Sequence, residues 1–69
     1  MEILTNTIEA ILFASGKSVA IADIADKLNV TESEVKKSLK ELREKYGEDG
    51  GIQLLEFNKK AQLGSNPKY

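Results

Sequence analysis

Cysteine and histidine are both absent from this 69-residue chain, and the two absences remove most familiar chemistry. Without cysteine there is no disulfide framework and no thiolate zinc site, and the chain suits a reducing compartment. Without histidine, neither a Ser-His-Asp nor a Cys-His constellation can be assembled, and only carboxylates, lysines and hydroxyls remain as reactive groups. Tryptophan is missing, proline occurs once, and aromatic residues make up 6% of the chain. The composition argues against an enzyme. No catalytic residue, metal ligand or cofactor site is assigned.

Long hydrophobic runs are also lacking. The longest, Ala10-Ile11-Leu12-Phe13-Ala14, is far too short for a bilayer, so no membrane partner is expected. No basic residue precedes Lys17, which does not fit a secretory or transit signal, and cytoplasmic residence is the expectation. An excess of either charge is missing too: Lys+Arg 10 against Asp+Glu 11 leaves a net charge of −1. A free-standing nucleic-acid module usually carries a basic excess. What is present, 41% hydrophobic and 30% charged residues, describes one small globular domain.

The first helix is expected from about Ile3 to Ser15, with Leu4, Ile8, Ile11, Leu12 and Ser15 on one face and Gly16 as its stop. Ile3, Ala10, Phe13 and Ala14 fall on the other side, where a surface helix would carry charge. Val19-Ala20 reads as a short extended piece. Ile21, Ile24, Ala25 and Leu28 then recur at helical spacing, with Asp23 in the first turn and Asn29 as the terminator. Thr31-Glu32-Ser33-Glu34 is a capping box that opens a third helix over Glu32–Tyr46, with Val35, Leu39, Leu42 and Tyr46 as its buried stripe and Gly47 at its end. Ile52–Phe57 reads as a strand, Asn58-Lys59-Lys60 as a turn, Ala61-Gln62-Leu63 as a weak return strand, and Asn66-Pro67 as a further turn. The order α-β-α-α-β-β, a three-helix core followed by a hairpin, predicts a winged helix-turn-helix fold.

Two surfaces compete for the function. Lys36, Lys37, Lys40 and Arg43 on the third helix, with Lys59 and Lys60 at the hairpin, are the residues a winged-helix DNA reader would present to phosphates and base edges. Against that stand Glu32, Glu34, Glu41, Glu44, Glu48 and Asp49, which repel a phosphate backbone. Lys37–Glu41 and Lys40–Glu44 spacing also fits ordinary i,i+4 pairs on a solvated face. The second surface is the extra apolar face of the first helix: Ile3, Ala10, Phe13 and Ala14 either meet a partner chain or are covered by the hairpin of their own chain. Ala10 and Ala14, one turn apart, permit a close helix-helix approach.

Gly47-Glu48-Asp49-Gly50-Gly51 has no Lys-Ser/Thr after it and is acidic, which excludes a phosphate-binding loop; it also lacks the alternating ligands of a calcium hand. Asn66-Pro67-Lys68-Tyr69 matches a four-residue peptide signal and reads as a turn.

Ile8-Glu9-Ala10-Ile11-Leu12-Phe13-Ala14-Ser15-Gly16, followed by Lys17-Ser18-Val19, resembles the opening of the segregation and condensation protein B family. The likeness continues through Asp23-Ile24-Ala25 to Leu28, through Glu41-Leu42-Arg43-Glu44-Lys45-Tyr46 and Gly51-Ile52-Gln53-Leu54, to Pro67-Lys68-Tyr69. The resemblance implies a non-catalytic subunit of the prokaryotic SMC-kleisin condensin complex. Such a subunit acts in chromosome condensation and segregation, is cytoplasmic and nucleoid-associated, forms a homodimer, and binds the kleisin and through it the SMC ATPase. Residues 1–69 would be a single winged-helix domain, the N-terminal half of a two-domain protein. Ile3, Ala10, Phe13 and Ala14 would form the dimer interface, and direct DNA binding would be weak or absent. Two positions depart from the family pattern: Ala20 stands where Ser or Thr is usual ahead of the second helix, and Ala61 where an aromatic is common.

Overall fold

The helix boundaries from Ser15 onward in the computed structural model, which describes residues 2–47 and 49–65, have identifiable local causes. Helix α1 (Glu2–Ser15) ends at Gly16, whose φ of 66° no β-carbon favours. Strand β1 (Val19–Ala20) leads directly into helix α2 (Ile21–Leu28). Ala20 gives α2 no side-chain cap, as the sequence implied. The Ile21 N–H instead donates to the Lys59 carbonyl at 2.9 Å, so the hairpin turn satisfies one of the amides that a Ser or Thr would not reach. At the other end Asn29 is left-handed, with φ 56° and ψ 47°. Its N–H donates to the Asp26 carbonyl and that of Val30 to Ala25, a Schellman motif with asparagine in the usual glycine place.

Helix α3 (Glu32–Tyr46) starts on the expected capping box: Thr31 Oγ1 accepts from the Glu34 N–H at 3.1 Å, and Glu34 accepts from the Thr31 N–H at 3.2 Å. It ends at Gly47, with φ 67° and ψ −174°. Strands β2 (Ile52–Phe57) and β3 (Lys60–Ser65) complete the chain. The sheet is antiparallel with order β1-β3-β2. The expected turn at Asn66-Pro67, the Asn66–Tyr69 signal and the last part of the family resemblance lie outside the described residues.

The hairpin differs from the expectation in two respects. Its turn is Asn58-Lys59 alone, both with positive φ, 48° and 60°, the two-residue geometry whose twist matches paired strands. Lys60 therefore already pairs with Phe57, and the return strand extends to Ser65, opposite Ile52. Ala61 is fully buried in the central strand, paired with Val19 on one side and Glu56 on the other.

The core is built from Ile8 and Leu12 of α1, Ile21 and Ile24 of α2, Val35, Leu39 and Leu42 of α3, and Leu54 and Ala61 of the sheet. Each of the large side chains contributes on the order of 1.5–3 kcal/mol by leaving water. In α1 the buried stripe is narrower than the helical wheel predicted: Leu4, Ile11 and Ser15 are only half-buried, and the third buried residue is Thr5. The hairpin does not wrap the outer side of α1. With three helices and a small sheet around one core, the fold is the winged helix that the element order implied.

Candidate assembly surface

Two polar clips, one turn apart, fix the rotation of α1 on α3. In the first, the buried Thr5 hydroxyl is hydrogen-bonded to Ser38 Oγ at 3.1 Å and donates to Glu41 Oε1 at 2.6 Å. That donation is the main reason the Glu41 carboxyl is held below its ordinary 4.5. In the second, Glu9 accepts from the Tyr46 hydroxyl and, through both oxygens, from Lys45 Nζ at 3.1 Å. The Tyr46 donation lowers the Glu9 pKa below 4.5; partial burial opposes it and Lys45 reinforces it. The same contact, with burial, pushes the Tyr46 hydroxyl above its usual 10.0.

With α1 held this way, its opposite side faces outward. Phe13 is 81% exposed and Ile3 74%, and Ala10 and Ala14 are exposed beside them. The four residues singled out in the sequence thus share one open face, and the alternative in which the hairpin covers them does not occur. Ala10 is the crest of this face, with a hollow on either side. Toward α3 lies a notch of about 270 Å³ lined by Asn6, Glu9, Phe13 and Tyr46. Toward α2 lies a groove of about 820 Å³, walled by Thr7, Ile11 and Ala14 of α1 and by Val19, Ala20 and Ile24 across from it.

The basic residues of the alternative reading differ in what they touch. Lys36, Lys37 and Lys40 are exposed on α3, but Arg43 is bound through Nη2 to Glu56 of β2. Glu41, expected to pair with Lys37, gives its carboxylate to Thr5, while Lys37 attracts it at longer range. Lys59 is held at the turn by its carbonyl, and Lys60 lines the groove beside α2. Among the described residues no cluster of three or more metal-ligating side chains is present, and no helix is long and apolar enough to cross a membrane.

Sequence reasoning missed Thr5, Ser38 and Glu9 as the residues that orient the exposed face. Their signal was available: Thr5 and Glu9 lie four residues apart beside the Ile8–Leu12 stripe, so a polar pair there flanks a helix-helix seam. Their partners on α3 were not legible from spacing alone.

Fold and surface together define a winged-helix domain whose third-helix arginine is tied to the wing and whose first helix presents an open apolar face. A family model described as "Segregation and condensation complex subunit ScpB" matches residues 6–69, and the chain belongs to that family. It is 44% identical over 63 residues to segregation and condensation protein B of Caldanaerobacter subterraneus subsp. tengcongensis, covering 90% of this chain and 38% of that protein. To its counterpart in Clostridium botulinum it is 39% identical over 62 residues, 88% of this chain and 32% of that one. The chain therefore spans less than two-fifths of the length of these relatives. A solved structure described as "Crystal structure of dimer of ScpB N-terminal domain complexed with ScpA peptide" superposes with a TM-score of 0.84 at 32% identity, covering 97% of this chain and 85% of that one.

Proposed function

We propose that the chain is a non-catalytic assembly domain of a prokaryotic SMC-kleisin condensin complex. It homodimerises through the outer face of α1 and binds the kleisin, and through it the SMC ATPase, in chromosome condensation and segregation. The domain works in the cytoplasm at the nucleoid, with no membrane partner and with little direct affinity for DNA, as the N-terminal half of a two-domain protein. The observation that carries this reading is Phe13, an aromatic side chain 81% exposed on a helix whose other side is anchored in the core. Leaving so large an apolar group in water forgoes roughly 1.5–3 kcal/mol that a partner would recover. Ile3, Ala10 and Ala14 extend the patch, and the small pair lets a second helix approach closely. Family membership and the dimeric, peptide-bound state of the structural neighbour support the same assignment. In an isologous pair each copy offers the same face to the other. Phe13→Asp should therefore sediment as a folded monomer at concentrations where the parent chain is dimeric; a parent chain that stays monomeric at high micromolar concentration would reject the reading.

A further inference from the structure

The sheet ends on two edge strands of unequal length. β1 has two residues, and so short an edge offers little to pair with; β2 has six, Ile52–Phe57, with β3 on one side of it only. In a hairpin with a two-residue turn, the flanking pair Phe57–Lys60 exchanges its hydrogen bonds across the ladder, as do alternate pairs beyond it. Ile52, Leu54 and Glu56 therefore turn their N–H and C=O groups away from β3, and no backbone hydrogen bond outside the ladder takes them up among the described residues. An edge of this length is usually blunted by lysine, proline, a bulge or an unpaired charge. β2 has no lysine or proline, pairs with β3 from Ile52 to Phe57 without a bulge, and has its one charge, Glu56, neutralised by Arg43. Ile52 and Phe57 stand exposed along it.

We propose that β2 is a second self-association edge, at which two copies of the chain pair β2 with β2, antiparallel about a two-fold axis at Leu54, and join two three-stranded sheets into one. The contact is separate from the α1 face and does not depend on it. Its register follows from the outward groups: for all three residues to bond, Leu54 lies opposite Leu54 of the other copy, and Ile52 opposite the other copy's Glu56. The same register sets the exposed Phe57 opposite Gly51 of the other copy, which has no neighbouring atom within 4 Å of where a β-carbon would stand. An aromatic ring laid over an edge glycine is a favourable cross-strand pairing. The ends of the strand also match. Glu48 and Asp49 precede β2 and Lys59 and Lys60 follow it, so antiparallel pairing brings the turn of each copy beside the acidic loop of the other, Lys59 at the level of Asp49. Unlike charges meet twice, whereas parallel pairing would set like against like. A contact of six residues a side is small, so it acts at high concentration or between chains already held together. No α1 residue belongs to this edge, and a chain paired through α1 can pair again through β2 into a closed tetramer or an open row.

The test is sedimentation equilibrium at low salt in the Phe13→Asp background, which silences the α1 face. That variant should pass from monomer to dimer as the concentration rises into the millimolar range. Asp49→Lys and Lys59→Glu, each added singly, should stay monomeric with helical circular dichroism unchanged, because each sets like charges together twice. An equimolar mixture of the two should dimerise again, a rescue that damage to either fold would not produce. The register is read by disulfide formation, since the chain has no cysteine of its own. Gln53 and Leu55 of the two copies form a non-hydrogen-bonded pair, with Cα atoms about 4.5 Å apart and within disulfide reach. Gln53→Cys and Leu55→Cys should therefore cross-link in an oxidised mixture and not singly. A Phe13→Asp chain that stays monomeric at millimolar concentration would overturn the proposal, as would a dimer indifferent to both charge variants. Should Phe13→Asp unfold, the same charge variants in the parent chain should remove species larger than the dimer, and their persistence would overturn the proposal equally. A parent chain that is monomeric at high micromolar concentration and shows the charge rescue at millimolar rejects the α1 dimer alone.

Discussion

Thr5 on α1 and Glu41 on α3 are joined by a 2.6 Å hydrogen bond although 36 residues separate them. The same hydroxyl reaches Ser38, which is 2% exposed, so a single side chain closes a buried polar contact in the middle of the α1–α3 seam. A buried hydroxyl left without a partner loses more than the net worth of one bond, because its desolvation is no longer offset. The position fixes which side of α1 faces the core and hence which side carries Phe13.

Thr5→Val keeps the shape and removes the hydroxyl, leaving Ser38 to find another partner. It should destabilise the fold by about 1–3 kcal/mol in urea unfolding. Thr5→Ser, which keeps the hydroxyl and loses a methyl, should cost about 0.8 kcal/mol. A Val variant as stable as the parent would show that the contact does not anchor the seam.

The Glu9–Tyr46 contact makes stability depend on pH at both ends. Glu9 is held below 4.5 in the folded chain, so its contribution is present above the unfolded value and is lost as pH falls through the folded one. Tyr46 is pushed above 10.0, so its contribution is present below that value and is lost as pH rises through the folded pKa. Tyr46→Phe removes the alkaline effect and the largest part of the acid one, Lys45 still holding Glu9 down. Urea midpoints measured across pH should show a flatter acid limb for the variant, and no Tyr46-dependent loss on the alkaline side.

Ala20 has the extended backbone of an N-cap, φ −67° and ψ 136°, without a side-chain oxygen to use it. Ala20→Ser should stabilise the domain by about 0.5–2 kcal/mol, visible as a higher urea midpoint with unchanged slope. A destabilised variant would mean that the Ile21–Lys59 bond already serves α2 fully and that the new hydroxyl disturbs it.

DNA affinity should be poor. Arg43 is occupied by Glu56, and Lys60 lines the groove between α1 and α2. Duplex titration at physiological salt should give a Kd weaker than about 10⁻⁴ M. At low salt, Lys36→Glu with Lys40→Glu should change the isotherm little. Tight binding abolished by that pair would favour a regulator over an assembly domain.

Most of the fold was legible because its boundaries rest on local chemistry. The capping box at Thr31, the left-handed Asn29, and Gly16 and Gly47 each act within a few residues, and all four stop or start a helix where the sequence placed them. The exposed apolar face was legible for a related reason: Phe13 and Ile3 occupy wheel positions that the Ile8–Leu12 stripe leaves outside. The length of the hairpin was less so. A turn of two or three residues has similar composition, and only the positive φ at both Asn58 and Lys59 selects the shorter one.

The sequence by itself determined the elements, their order and the family, because helix caps, glycine stops and apolar periodicity are short-range physics written in neighbouring residues. The tertiary structure alone decided which lysines share a surface, and that Thr5 and Glu9 hold α1 in place. It took Lys60 from the hairpin tip to the same groove as Lys17 and Lys27, and it tied Arg43 to Glu56. Each of these pairings joins residues far apart in the chain. Their distance is set by how the helices and sheet pack on one core, and no spacing in the sequence encodes it.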